Sequence, residues 1–128
     1  PQPDAGVLAW LNEQEPADLW LSAITAAELM AGVARLPEGK RRQQLMQAVA
    51  ALLEQDFAGQ ILAFDLTAAS VYADLVAQRE RNGRPINMAD AQIAAICLAH
   101  QAVLVTRNQK DFEGLGLAIV NPWTAAPP

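Results

Sequence analysis

The chain has 128 residues, of which 52% are hydrophobic and 18% charged, and this composition is typical of one folded domain and excludes a disordered chain. The net charge of −5 argues against nucleic-acid binding driven by bulk charge, although the nine Lys and Arg residues are grouped at 35–42, 79–84 and 107–110 and could form local contacts with a polyanion. The chain has one cysteine and one histidine, which excludes an internal disulfide and a His-clustered zinc site. No apolar run nears the roughly 18 residues of a membrane span. A reducing cytoplasm is the expected location.

The first half of the chain is predicted to contain three helices and two short strands. Asp4 is a good N-cap for a first helix that ends near Glu13. The apolar run at 19–21 predicts a buried strand, and helical patterns follow at about 25–36 and 40–57. A second short strand is predicted at 61–64, after the helix-breaking Gly59.

The second half continues the alternation of helices and strands. Thr67 can cap a helix that ends near Asn82-Gly83, and Asn87 opens another helix through residue 99. Residues 103–105 and 117–120 are strand-like. Because helices and strands alternate with short joins, residues 1–128 are predicted to form a single α/β domain, in which helices cover a parallel sheet.

Three acidic residues stand at equivalent places in this pattern. Glu28 and Asp111 each follow a predicted strand, and Asp90 lies in the first turn of a predicted helix. Open parallel sheets bind ligands at the carboxyl ends of their strands. Carboxylates that converge there would repel each other without a cation, and Mg²⁺ or Mn²⁺ suits an all-oxygen site.

Helix capping is the alternative explanation for the same acids. Each lies three residues after a good N-cap, namely Thr25, Asn87 or Asn108. The apolar residues around Glu28 and Asp90 favour a functional role, because an acid near an apolar surface costs free energy unless it is paired or metal-bound. The two roles are compatible, since a cap can fix the orientation of a ligand.

At these residues the sequence resembles the PIN-domain ribonuclease toxins of the VapC/FitB group. The segments that carry the resemblance are 21–29 (LSAITAAEL), 89–95 (ADAQIAA), 106–108 (TRN) with 111–112 (DF), and 120–123 (VNPW). Residues 1–3 (PQP), 57–62 (FAGQIL) and 64–65 (FD) are similar to the FitB branch. The resemblance implies a PIN-like three-layer α/β/α sandwich around a central, mainly parallel sheet, and metal-dependent hydrolysis of RNA phosphodiester bonds.

The resemblance also implies roles for individual residues. Glu28 and Asp90 match the second and third acidic positions of the family. At the fourth position some members carry Asp where Asn108 stands, and others carry Asn there with an Asp three residues later, as in Asn108 and Asp111 here. The implied cofactor is Mg²⁺, or alternatively Mn²⁺, held by the three acids, with Asn108 and Thr106 orienting water or a carboxylate.

Substrate and partners are further expectations from the resemblance. Arg107, Lys110 and the basic residues at 79–84, Arg84 among them, are candidate RNA phosphate contacts. An antitoxin partner and a homodimer or higher oligomer are implied. The helix pair over 25–57 could accept an amphipathic partner segment, although a plain core role explains most of its apolar residues.

One family feature is not found in the sequence. The family opens with a strand that ends in an Asp, within a Leu-Asp-Thr-Asn-type motif, upstream of the point where this chain begins. Asp4 does not supply it, because Asp4 is predicted to cap a helix. The expectation is that the 128-residue form lacks a central strand and one metal ligand and is impaired as an enzyme.

Two other functions are considered. A non-catalytic module that only binds an antitoxin is supported by the absent Asp. A receiver-like phosphoacceptor domain would use Asp65 at a strand end, but the sequence lacks the paired acids expected near an early strand.

Overall fold

The computed structural model describes residues 5–123, in which helices alternate with short strands. The main elements are α1 Ala5–Asn12, β1 Leu21–Ser22, α2 Ala23–Ala34, α3 Lys40–Ala51, β2 Ile61–Leu62, α4 Leu66–Arg81, α5 Met88–Ala99, β3 Leu104–Val105 and β4 Ile119–Val120. Short 3-10 helices occur at Pro16–Asp18 and Gln109–Phe112, and a π-helical turn occurs at Leu52–Asp56. The predicted cap at Asp4 lies outside the described residues. Between residues 5 and 123, no helix has the length and apolar character needed to cross a membrane.

The strands of the described region form two parallel pairs. β1 pairs with β2, and β3 pairs with β4. Parallel neighbours require a crossover connection, and α2 with α3 supplies it between β1 and β2. This arrangement confirms the predicted α/β architecture with parallel strands. Each ladder is two residues long, and the two pairs are not hydrogen-bonded to each other as one continuous sheet.

The core is centred on the packing of α4 against α5. Its buried members are Leu75, Ala91, Ala94, Cys97, Leu104 and Phe112. Alanines on α5 allow α4 to approach closely, and Phe112 fills the space beside them from the turn at Gln109–Phe112. Burial raises the pKa of the Cys97 thiol to about 11, so this side chain is a neutral packing group at pH 7. The turn at Gln109–Phe112 is therefore packed against the α4–α5 pair through Phe112.

The observed N-caps differ from the predicted ones at two helices. Ser22 caps α2 and accepts a hydrogen bond from the Thr25 backbone N–H at 2.9 Å, so the prediction that Thr25 caps this helix is wrong. Asp65, not Thr67, caps α4 by accepting from the Ala68 N–H at 2.9 Å. The cap is in each case an extended residue just before the first helical one, the conformation that an N-cap requires.

The strand β1 lies later in the chain than the apolar run at 19–21 predicts. The side-chain amide of Gln60 donates to the carbonyls of Pro16 and Leu19. The Leu21 N–H then donates to the Gln60 carbonyl at 3.0 Å, where the ladder begins. Because the Gln60 N–H donates to the Phe57 carbonyl at 2.9 Å and not to Leu19, regular pairing with β2 starts only at Leu21.

Replacing Ser22 by Ala tests the observed cap of α2. The variant is expected to lose about 1 kcal/mol of unfolding free energy, since the Thr25 N–H loses its acceptor. Thr25→Ala is expected to cost less, because Ser22 still caps the helix. Urea unfolding of both variants measures the difference, and a larger loss for Thr25→Ala would contradict the assignment.

Candidate functional site

A cleft of about 460 Å³ opens where the end of α4, the start of α5 and the turn at Gln109–Phe112 meet. We call it the α4–α5 cleft, and its lining residues are Arg79, Arg84, Pro85, Ile86, Asn87, Asp90, Lys110 and Asp111. It unites two of the predicted acidic ligands, Asp90 and Asp111, with three of the predicted phosphate contacts, Arg79, Arg84 and Lys110. A second cleft, of about 340 Å³, is lined by Glu38, Gly39, Arg42, Gln43 and Met46 and contains none of the predicted site residues.

Asp90 is held in the α4–α5 cleft by the N-cap of α5. The Asn87 side-chain oxygen accepts from the Asp90 N–H at 2.8 Å. The Asn87 side-chain amide in turn donates to Asp90 Oδ2 at 2.9 Å. The predicted cap at Asn87 is confirmed, and this reciprocal pair fixes the carboxylate at the first turn of α5.

The surroundings of Asp90 disfavour its negative charge. Burial raises the pKa of the Asp90 carboxyl, and the neighbouring charge of Asp111 raises it further. The hydrogen bond from Asn87 opposes these effects without cancelling them. A bound cation would offset both the lost hydration and the repulsion between the two acids. The cleft therefore combines a carboxyl whose ionisation is disfavoured with the cationic side chains of Arg79, Arg84 and Lys110.

Asp111 reaches the cleft from the 3-10 turn at Gln109–Phe112. Its side chain is exposed, whereas the next residue, Phe112, is buried in the core and anchors the turn. Asn108 occupies the N-cap position of this turn, as predicted, but its side chain makes no capping hydrogen bond. Its backbone N–H instead donates to Thr106 Oγ1 at 3.1 Å. Thr106 and Asn108 thus brace the turn that carries Asp111.

Arg84 and Lys110 place positive charge at the rim of the cleft. Both residues are exposed. The Arg84 guanidinium lies 3.9 Å from the Glu113 carboxylate, and both side chains are more than half exposed. Such a surface pair contributes little to stability, so Arg84 remains available to a negatively charged ligand, and within residues 5–123 Lys110 forms no ion pair.

Residues 2–116 match the PIN domain family. The chain is a PIN-domain protein. It is 45% identical over 125 residues to VapC ribonuclease Y4jK of Sinorhizobium fredii, covering 98% of this chain and 89% of the relative. It is 39% identical over 123 residues to toxin FitB of Neisseria gonorrhoeae, covering 96% and 88%. The crystal structure of FitAcB from Neisseria gonorrhoeae superposes with a TM-score of 0.91 at 38% identity, covering 98% of this chain and 90% of the other.

These similarities place this PIN domain in the VapC/FitB group, as the sequence motifs predicted, and confirm the PIN-like α/β sandwich. The receiver-like interpretation of Asp65 is replaced, because Asp65 caps α4 and the chain belongs to another family.

Four predicted site residues, Glu28, Thr106, Arg107 and Asn108, are not among those that line the cleft. Glu28 is exposed on α2, and its predicted place in the metal site stays a prediction. Thr106 is half-buried and its hydroxyl accepts from the Asn108 N–H, and Arg107 is exposed while its carbonyl accepts from the Asn121 side-chain amide at 3.2 Å. Within residues 5–123, no three acidic, histidine or cysteine side chains are grouped closely enough to hold a metal ion.

Arg79 is the lining residue whose role the sequence did not reveal. The prediction grouped it with the phosphate contacts at 79–84, but it is only 7% exposed and its guanidinium donates to three backbone carbonyls. For Arg79, the phosphate-contact interpretation is corrected, because the side chain is buried and both terminal nitrogens of its guanidinium donate to backbone carbonyls. Arg79 lies four residues after the buried Leu75, and this spacing places both on one helix face. The spacing was the sequence signal for the burial of Arg79.

The lining of the PIN-domain cleft fits a divalent cation. Two carboxylates, Asp90 and Asp111, face a solvent-open space beside the cationic side chains of Arg84 and Lys110. Mg²⁺ is commonly held by one or two carboxylates, with waters and substrate phosphates completing its shell. The pKa of the Asp90 carboxyl is raised in this cleft, and a bound cation would lower it, because a nearby positive charge favours the ionised carboxyl.

In the metal-free PIN domain, Asp90→Asn is expected to raise the unfolding free energy modestly at pH 7. The pKa of Asp90 is raised above its usual 3.8, so ionisation of this carboxyl opposes folding at neutral pH. Below pH 3.8 the carboxyl is protonated in both the folded and unfolded states, and the cost disappears. Thermal unfolding in EDTA across this range should show an advantage that shrinks as the pH falls. An advantage that is independent of pH would contradict the electrostatic cause.

Proposed function

We propose that this PIN-domain protein is a metal-dependent endoribonuclease and the toxin of a toxin-antitoxin module. The observation that carries the proposal is the meeting of Asp90 and Asp111 in one cleft rimmed by Arg84 and Lys110. Relatives named as a VapC ribonuclease and as toxin FitB support the same activity. The substrate would be RNA, met in the cytoplasm.

The carboxylates of the cleft would hold Mg²⁺, or Mn²⁺ in its place. Asp90 and Asp111 would be its ligands, and Glu28 is proposed as a third acid that acts directly or through water. When bound, the ion would supply Lewis acidity, which activates water and offsets phosphate charge. Asn87 would keep Asp90 oriented through its two hydrogen bonds.

The basic residues would position the RNA backbone. Lys110 and Arg84 lie beside the two acids, so a phosphodiester held by them would lie over the carboxylates. Arg107 would contact a phosphate outside the cleft. Thr106 and Asn108 would act by bracing the turn that carries Asp111. Contacts of this kind hold the backbone without reading the bases.

The proposed protein partner is a cognate antitoxin, and a homodimer or larger oligomer is the proposed assembly. Solved relatives include FitAB bound to a DNA fragment, which matches with a TM-score of 0.91 at 37% identity. On α2, Leu29 and Met30 are exposed apolar residues that suit an amphipathic partner helix.

RNA cleavage by the antitoxin-free protein tests this function. The protein should be expressed with any residues that precede Pro1 in its gene and incubated with several RNA pools. We expect cleavage with Mg²⁺ or Mn²⁺ and none in excess EDTA. Cleavage that persists unchanged in EDTA would overturn the metal dependence.

A non-catalytic module that binds an antitoxin is the second candidate. It is favoured by the lack of a third acid grouped with Asp90 and Asp111 among residues 5–123. Antitoxin binding without cleavage of any RNA pool, by a folded protein supplied with metal, would establish this second function in place of the first.

A further inference from the structure

Arg79 is a buried cation without a carboxylate partner. The residue is 7% exposed, and within residues 5–123 its guanidinium forms no ion pair. One guanidinium nitrogen donates to the Arg84 carbonyl at 3.2 Å, and the other donates to the carbonyls of Asp111 at 2.8 Å and Glu113 at 3.0 Å. Burying a charge is costly unless it is fully hydrogen-bonded, so these three bonds offset a large desolvation cost.

The three carbonyls belong to two different walls of the α4–α5 cleft. The Arg84 carbonyl lies in the connection from α4 to α5, and the Arg84 N–H returns a 2.9 Å bond to the Arg79 carbonyl. The Asp111 and Glu113 carbonyls flank Phe112, whose side chain is fixed in the core. The Arg79 guanidinium therefore links the connection from α4 to α5, which precedes Asp90, with the turn that carries Asp111.

The orientation of the Asp111 carboxylate depends on this backbone attachment. Within residues 5–123 no hydrogen bond or ion pair to the Asp111 side chain is found, whereas its carbonyl is held by Arg79 and its N–H by the Asn108 carbonyl at 3.3 Å. A planar guanidinium offers donors in a fixed fork, and this geometry can reach carbonyls on both walls at once. A lysine ammonium has a different donor geometry and would not reproduce the set.

We propose that Arg79 is a positioning residue for the metal site, which holds the Asp111 backbone so that this carboxylate faces the same cleft as Asp90. The inference rests on the proposed metal-dependent function. It assigns Arg79 no contact with RNA or with the reacting atoms. Groups that orient metal ligands typically change metal affinity about 10- to 100-fold when they are replaced.

Mn²⁺ affinity, measured by calorimetry, tests the inference without relying on catalysis. Arg79→Lys and Arg79→Met are compared with Gln78→Met, an exposed position on the same helix. Circular dichroism selects the variants that fold, and Arg79→Lys retains the charge if Arg79→Met does not fold. We expect about 10- to 100-fold weaker Mn²⁺ binding for the Arg79 variants and no change for Gln78→Met.

A double-substitution cycle separates positioning from a general loss of stability. In an Asp111→Asn background the Arg79 substitution should weaken Mn²⁺ binding little further, since the residue through which Arg79 acts is already altered. An equal loss in both backgrounds, or unchanged affinity in a folded Arg79 variant, would overturn the inference while the metal site stands. If the unsubstituted protein binds no Mn²⁺, both the metal-dependent function and this inference are overturned.

Discussion

Replacing Asp90 by Asn is expected to abolish RNA cleavage and to leave the fold intact. Asp90 combines a fixed orientation, through Asn87, with a carboxyl whose charge is disfavoured until a cation binds. Asparagine keeps the size and the hydrogen bonding at the N-cap but removes the charge. Because replacing a group that merely orients a ligand costs about 10- to 100-fold, loss of the ligand itself should reduce kcat more than about 100-fold.

The control for this substitution is Asp74→Asn, which makes the same charge change at an exposed position on α4. Single-turnover cleavage with saturating Mg²⁺ compares the two variants, and circular dichroism verifies their folding. Cleavage retained by Asp90→Asn would remove Asp90 from the proposed machinery. Equal losses in both variants would point to a general effect of charge on RNA binding.

The Asp90 variant should also be more stable than the parent at neutral pH without metal. A substitution that stabilises the protein and abolishes its activity identifies a group retained for function at a cost to folding. A structural capping carboxylate would behave in the opposite way, since its removal would lower stability. The two measurements together therefore separate the catalytic and the capping explanations of Asp90.

The largest effect on stability is expected from Ile96→Ala. Ile96 on α5 is fully buried, with 0% exposure. Its truncation removes apolar contacts and leaves a cavity, so the unfolding free energy should fall by about 2–5 kcal/mol. Urea unfolding at pH 7 measures this loss. A domain of ordinary stability would keep only part of its unfolding free energy.

Leu66→Ala is the matched control, because Leu66 at the start of α4 is 86% exposed. Its effect should stay within about 0.5 kcal/mol. A loss for Ile96→Ala as small as the control's would show that the buried Ile96 side chain contributes little to stability.

Local sequence determined the features that depend on neighbouring residues. The cap of α5 at Asn87 and the position of Asp90 were predicted correctly, because their hydrogen bonds span three residues of one helical turn. The end of α4 at Asn82-Gly83 was also predicted, and Gly83 has the left-handed φ of 69° that glycine favours. The order of the motifs identified the PIN family before any geometry was available.

Tertiary structure decided the features that join distant segments. The Gln60 side-chain amide donates to the Leu19 carbonyl across 41 residues, just before β1 begins at Leu21. Arg79 reaches the Asp111 carbonyl across 32 residues, and this contact turns an apparent surface cation into a buried one. Neither contact has a local pattern, because each depends on how α4, the strands and the turns pack. The sequence by itself therefore determined the family and the candidate acids, whereas packing decided that Asp90 and Asp111 share a cleft.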